Sequence, residues 1–118
     1  MMTEPGWLRL RRALVDTGVF ILWYRGDQRA RYFLRNPDVD IYFAKVTRKE
    51  LLHPAISDAE RQKLVELLAG FRQVNPEAEI AAAYSELLNR YPYLHDHLAD
   101  ALIAATAWVK HLPIVTIH

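Results

Sequence analysis

The chain has no cysteine, which excludes disulfides and zinc–thiolate sites and leaves nothing that points to an oxidising compartment. No apolar run approaches the roughly 20 residues needed to span a bilayer. Signal-peptide character is missing too, because Trp7 and Leu8 meet Arg9, Leu10, Arg11 and Arg12 at once. The expectation is a cytoplasmic protein without a membrane segment. Only 4 glycines occur, and neither GxGxxG nor a P-loop is formed from them, so dinucleotide and P-loop nucleotide binding are excluded. HExxH is absent, and His95 and His97 are not at the i, i+4 spacing of a helical metal pair. A serine hydrolase lacks support, since there is no GxSxG and Ser57 and Ser85 fall at the cap of, or inside, predicted helices.

Net charge is nearly absent as well, at +1. That argues against a strong non-specific nucleic-acid binder, which would be plainly basic. The balance hides an asymmetry: residues 1–35 hold seven arginines against three acids, and residues 36–118 hold eight Lys or Arg against eleven acids. The arginines suit either a local phosphate-facing patch or a solvated surface. What is present is ordinary globular composition, 52% hydrophobic and 25% charged over 118 residues, enough for one domain with its own core.

The order of elements reads as strands separated by helices. Residues 10–16 form a short buried strand that ends in an aspartate. Residues 17–24 are apolar, and strand and helix compete for them on composition; Gly18 at the junction favours a helix. Residues 27–35 predict an amphipathic helix closed by Asn36 and Pro37. A second strand covers 39–43, and a short helix covers 47–52, where Thr47 and Glu50 have capping-box spacing. Ser57 and Glu60 have the same spacing at the head of a longer helix that ends before Gly70. Residues 71–74 predict a third strand. Asn75, Pro76, Glu77 and Glu79 announce a helix whose apolar stripe is Ile80, Tyr84, Leu87, Leu88 and Tyr91. Residues 96–110 predict the most apolar helix, and residues 113–117 a last strand. With no hairpin signal, this order implies an α/β domain, three-layer α/β/α, around a central parallel sheet of four or five strands.

In such a sheet ligands bind outside the carboxyl ends of the strands. That rule selects Asp16 after the first strand, Glu50 shortly after the second, Thr116 near the end of the last, and Asp100 on the helix before it. Each also has a structural use. Asp16 before Thr17 and Gly18 suits a helix cap, Glu50 can serve a capping box with Thr47, and Asp96 and Asp100, one turn apart on one helix, suit the dipole at its start. Asp100 would lie a full turn deeper than Asp96, which favours a site. The aromatics Trp23, Tyr24, Tyr32, Phe33, Tyr42 and Phe43 are more often core than base-stacking surfaces. The set that remains is all oxygen, Asp16, Glu50 and Asp100 with Thr116 and Asp96 as auxiliaries, and it suits magnesium or manganese rather than zinc. Such an ion activates water and offsets charge on a phosphate. A metal-dependent phosphatase could use the same acids, but no Asp-x-Asp at the first strand supports one.

Three segments carry a family resemblance. Ala13-Leu14-Val15-Asp16-Thr17-Gly18-Val19-Phe20-Ile21 resembles the opening of PIN domains. Val46-Thr47-Arg48-Lys49-Glu50-Leu51-Leu52 is similar to their second motif. Ala99-Asp100-Ala101-Leu102-Ile103-Ala104-Ala105-Thr106-Ala107, followed by Leu112-Pro113-Ile114-Val115-Thr116, resembles the third. The resemblance implies a Mg²⁺-dependent endoribonuclease, with Mn²⁺ as a substitute, like the VapC toxins of toxin–antitoxin pairs. It implies Asp16, Glu50 and Asp100 as metal ligands, with Thr17 and Thr116 shaping the site. It also implies an RNA substrate, a small antitoxin partner and a homodimer. The family pattern usually continues with Asn where His118 stands, so its C-terminal end, with a fourth acid, is expected to be missing; Asp96 is a geometric candidate to substitute. The histidines read mostly as surface or loop residues, with His97 or His118 able to approach the site. The alternative is a degenerate PIN domain that binds RNA or protein without catalysis.

Overall fold

The computed structural model describes residues 10–116. Its first strand, β1 (Arg12–Val15), carries Ala13, Leu14 and Val15, all fully buried. Helix α1 (Thr17–Tyr24) follows directly, and α2 (Gln28–Leu34) is capped by Asp27, whose carboxylate accepts from the Ala30 amide at 3.0 Å. Between them Gly26 has φ 88, a left-handed conformation that suits glycine. Then come β2 (Asp40–Ala44), α3 (Lys45–Leu51), α4 (Asp58–Ala69) and β3 (Arg72–Val74). Helix α5 (Ala78–Arg90) leads through a 3-10 turn (Pro92–Asp96) into α6 (Leu98–Lys110) and β4 (Ile114–Val115).

The four strands are parallel and lie in the order β3-β2-β1-β4. Parallel strands covered on both faces must be apolar on both, and the register shows it. Ala13, Val15, Ile41 and Phe43 join one core with Val19, Phe20, Phe33, Leu64 and Leu68 of α1, α2 and α4. Leu14 and Ala44 face the other way, into a cluster with Ile103, Ala107 and Leu112. Helix α5 closes that layer by packing Ile80 and Ala83 against Ala105. The chain therefore forms the expected three-layer parallel α/β architecture with four strands. Among the described residues no helix is long and apolar enough to cross a membrane.

Three sequence expectations are corrected. Helix α3 starts at Lys45 with Ala44 as an N-cap that makes no side-chain bond, because β2 runs straight into it; Thr47 and Glu50 are therefore interior residues and not a capping box. Helix α5 starts at Ala78 with Glu77 as its cap, so Asn75 and Pro76 precede it. Asp96 belongs to the 3-10 turn, and His97, at φ −139 and ψ 54, separates it from α6. Asp96 and Asp100 thus do not share a helical face, and Asp100 lies in the first turn of α6, not a turn deeper.

The Ser57–Glu60 capping box is present in both directions. The Ser57 hydroxyl, followed by its amide and the Tyr24 phenol, holds the Glu60 carboxyl below its ordinary range. Replacing Ser57 by Ala is expected to cost about 1 kcal/mol, the usual effect of losing such a cap. Because the folded-state value of Glu60 is depressed, its contribution is present above the unfolded value and lost as pH falls through the folded one. Thermal unfolding should accordingly show a smaller difference between Ser57→Ala and the parent at pH 3 than at pH 7. An unchanged midpoint at pH 7 would mean that the box does not hold α4.

Candidate active site

The order of the strands places the site. From β1 the chain steps to β2 and β3 on one side, and β4 returns on the other side of β1. The crevice where the direction of winding reverses lies between the carboxyl ends of β1 and β4. Asp16 follows β1 and Thr116 follows β4. The Asp16 amide extends the ladder to the Val115 carbonyl at 3.0 Å, and the Thr116 hydroxyl donates to Asp16 Oδ2 at 3.0 Å.

Asp16 also caps α1. Its other oxygen, Oδ1, accepts from the Thr17 amide at 2.8 Å, so the cap and site readings of this residue are compatible. Thr17 is nearly buried, and its hydroxyl donates to Glu50 Oε1 at 2.8 Å. The same oxygen lies 2.9 Å from Thr47 Oγ1. A hydroxyl has one hydrogen, and Thr17 spends it on Glu50; Thr47 must therefore donate to Thr17. Thr47 is completely buried, so this chain of hydroxyls fixes α3 against α1 and holds the Glu50 carboxylate on the Thr17 hydroxyl. Sequence reading treated Thr47 as a cap, although its position three residues before Glu50 on one helix face was the available signal for a supporting role.

Asp100 stands apart from that network. Helix α6 leads through residues 111–113 into β4, so it runs opposite to the strands, and its first turn lies at their carboxyl ends. α3, which follows β2, packs against it. The Asp100 side chain is 70% exposed, with His97 Nδ1 4.0 Å from its Oδ2. Asp96 is exposed and joins none of these bonds. His118 lies outside the described residues. The structure thus links Asp16, Thr17, Glu50 and Thr116 and sets Asp100 at the same edge without a bond to them.

The donor set fits a hard divalent cation in its chemistry. All groups are oxygens, and a carboxylate has about four lone-pair positions, of which Asp16 uses two. Among the described residues no lysine, arginine or histidine pairs with Asp16 or Glu50, so their negative charge has no protein counter-charge. Nor does any group of three or more acid or histidine side chains there come close enough together to hold a metal ion. An ion that keeps several waters and takes one or two direct carboxylates is the type that such an open arrangement suits.

Comparison with known proteins agrees with the geometry. A family model described as PIN domain matches residues 13–117. Ribonuclease VapC10 of Mycobacterium tuberculosis, found in two strains, is 36% identical over 110 residues, covering 89% of this chain and 81% of the relative. A chain solved in a toxin–antitoxin complex from Klebsiella pneumoniae superposes with a TM-score of 0.76 at 26% identity, over 90% of this chain and 86% of that one. With the parallel sheet, the Asp16–Thr116 pair at its switch point and a family match across nearly every described residue, the chain belongs to the PIN-domain family and is VapC-like within it.

Proposed function

We propose that this protein is a metal-dependent endoribonuclease, the toxin of a toxin–antitoxin pair, in which Asp16, Glu50 and Asp100 hold Mg²⁺, with Mn²⁺ as a substitute. The observation that carries this reading is the network through the Thr17 amide and hydroxyl that ties Asp16 to Glu50 at the switch point, with no lysine, arginine or histidine among the described residues paired to either. When bound, the ion supplies positive charge against the phosphate and makes an attacking water more acidic. The chain's own residues do the positioning. The Thr17 amide and the Thr116 hydroxyl each hold one oxygen of Asp16, the Thr17 hydroxyl holds Glu50, and the first turn of α6 presents Asp100. Because these partners are set before substrate arrives, little reorganisation accompanies reaction.

The antitoxin partner suits a groove of about 390 Å³ lined by Trp23, Tyr24, Arg31 and Leu67. Arg31 lies over the Trp23 ring at 5.1 Å, and its buried Nε has no hydrogen-bond partner among the described residues. Exposed Trp108 and Ile114 beside edge strand β4 suit a second copy of the chain, and the cytoplasm is the compartment consistent with such a pair.

The test is cleavage of single-stranded RNA by purified, antitoxin-free protein. Cutting should vanish in EDTA and return with Mg²⁺ or Mn²⁺. Folded protein that cuts with neither ion, and shows no Mn²⁺ binding that depends on Asp16 in calorimetric titration, would instead be a non-catalytic binding module.

A further inference from the structure

Tyr24, Tyr32, Tyr91, Tyr93 and Trp108 are all exposed aromatics, and two of them, Tyr91 and Tyr93, sit together as a pair. Phe20, Phe33 and Phe43 are core residues. Guanidinium groups cover Trp23 and Tyr42, from Arg31 at 5.1 Å and Arg72 at 5.6 Å. Tyr91 and Tyr93 differ: they are 42% and 66% exposed, and their rings meet edge to face, 6.2 Å between centroids at 63°. That arrangement leaves a ring face open to a third flat group. Neither phenol hydroxyl makes a hydrogen bond among the described residues. Sequence periodicity assigned Tyr91 to the apolar stripe of α5, but it lies past the helix end, and nothing in the core accounts for it.

The pair is held firmly. The Tyr91 amide bonds to Leu87 of α5 at 2.9 Å, Leu94 bonds back to Tyr91 at 2.9 Å, and His97 bonds to Leu94 at 2.8 Å. Pro92 starts the turn and restricts its backbone. The same turn delivers the chain into α6, whose first turn carries Asp100. Helical rises on either side keep Tyr93 within roughly 15 Å of Asp100.

We propose that Tyr91 and Tyr93 are a base-stacking platform that grips an unpaired base of the RNA substrate and sets which nucleotides lie against the acids. This inference rests on the ribonuclease reading and adds a specificity-determining pair to it. Stacking on an aromatic side chain is tolerant of base identity but requires an unpaired base, so the platform selects single-stranded over duplex RNA.

The experiment uses antitoxin-free full chain with a short single-stranded RNA, and follows both cleavage in Mg²⁺ and equilibrium binding by anisotropy in EDTA. The double variant Tyr91→Ala/Tyr93→Ala should raise KM and weaken binding roughly 10- to 100-fold, with kcat changed far less and duplex RNA binding unaffected. Tyr91→Phe/Tyr93→Phe keeps the rings and should restore single-strand binding. If the alanine variant, folded by circular dichroism, binds single strands as the parent does, the platform is overturned. It is equally overturned if that variant loses a dimer while RNA binding stays unchanged, since the pair then belongs to a contact between copies. A parent that cuts no RNA defeats the nuclease reading alone, because the binding arm still decides the platform.

Discussion

Asp16→Asn should lower RNA cleavage by at least roughly 10³-fold, a barrier increase of about 4 kcal/mol, while leaving the fold intact. The substitution is isosteric, and both local bonds survive it. The amide oxygen can accept from the Thr17 N–H as Oδ1 does at 2.8 Å. The amide nitrogen can donate to Thr116 Oγ1, which then accepts where it now donates at 3.0 Å; a hydroxyl can do either. What is lost is the negative charge at the switch point between β1 and β4. Thermal unfolding within a few degrees of the parent, together with lost cleavage and lost Mn²⁺ binding, is the expected combination. Cleavage at the parent rate would remove Asp16 from the site and leave it as the cap of α1 only.

The second large effect concerns stability. Phe20 is fully buried, 6.1 Å from the ring of Phe43 in an edge-on contact at 80° and 6.1 Å from that of Phe71. It is where α1 is seated on the sheet. Truncation to Ala removes the transfer free energy of the ring and leaves a cavity among side chains that cannot all close in, which costs about 3–5 kcal/mol. Against a typical total of roughly 5–15 kcal/mol, the midpoint should fall by about 15–25 °C. Activity should fall even in the folded fraction, since α1 also carries Thr17. Chemical denaturation of Phe20→Ala and Phe20→Leu measures this; an Ala variant less than 1 kcal/mol below the parent would show that α1 is not anchored through this ring.

These two residues show how unevenly the molecule can be read. Phe20 and its neighbours were legible as a buried apolar segment, but composition left strand and helix competing for residues 17–24. The competition is settled by β1, whose pairing with β4 ends at Asp16; the chain beyond has no strand to pair with and satisfies its amides as a helix. Asp16 and Glu50 were legible from their places after strands. Thr47 was not, because its capping pattern with Glu50 is what a helix start would also show, and only the preceding residues of α3 reveal that it lies inside. Asp96 and Asp100 looked like one helical face until His97 broke the helix between them.

By itself the sequence determined the parallel α/β class and the family, and it singled out the candidate acids, because each is carried by local periodicity or by short motifs in a set order. Tertiary structure decided what those acids do to one another. The hydroxyl chain from Thr47 through Thr17 to Glu50, the hold of Thr116 on Asp16 and the separation of Asp100 from both depend on which strand lies beside which. No local pattern encodes that order; it follows from burying both faces of one sheet at once.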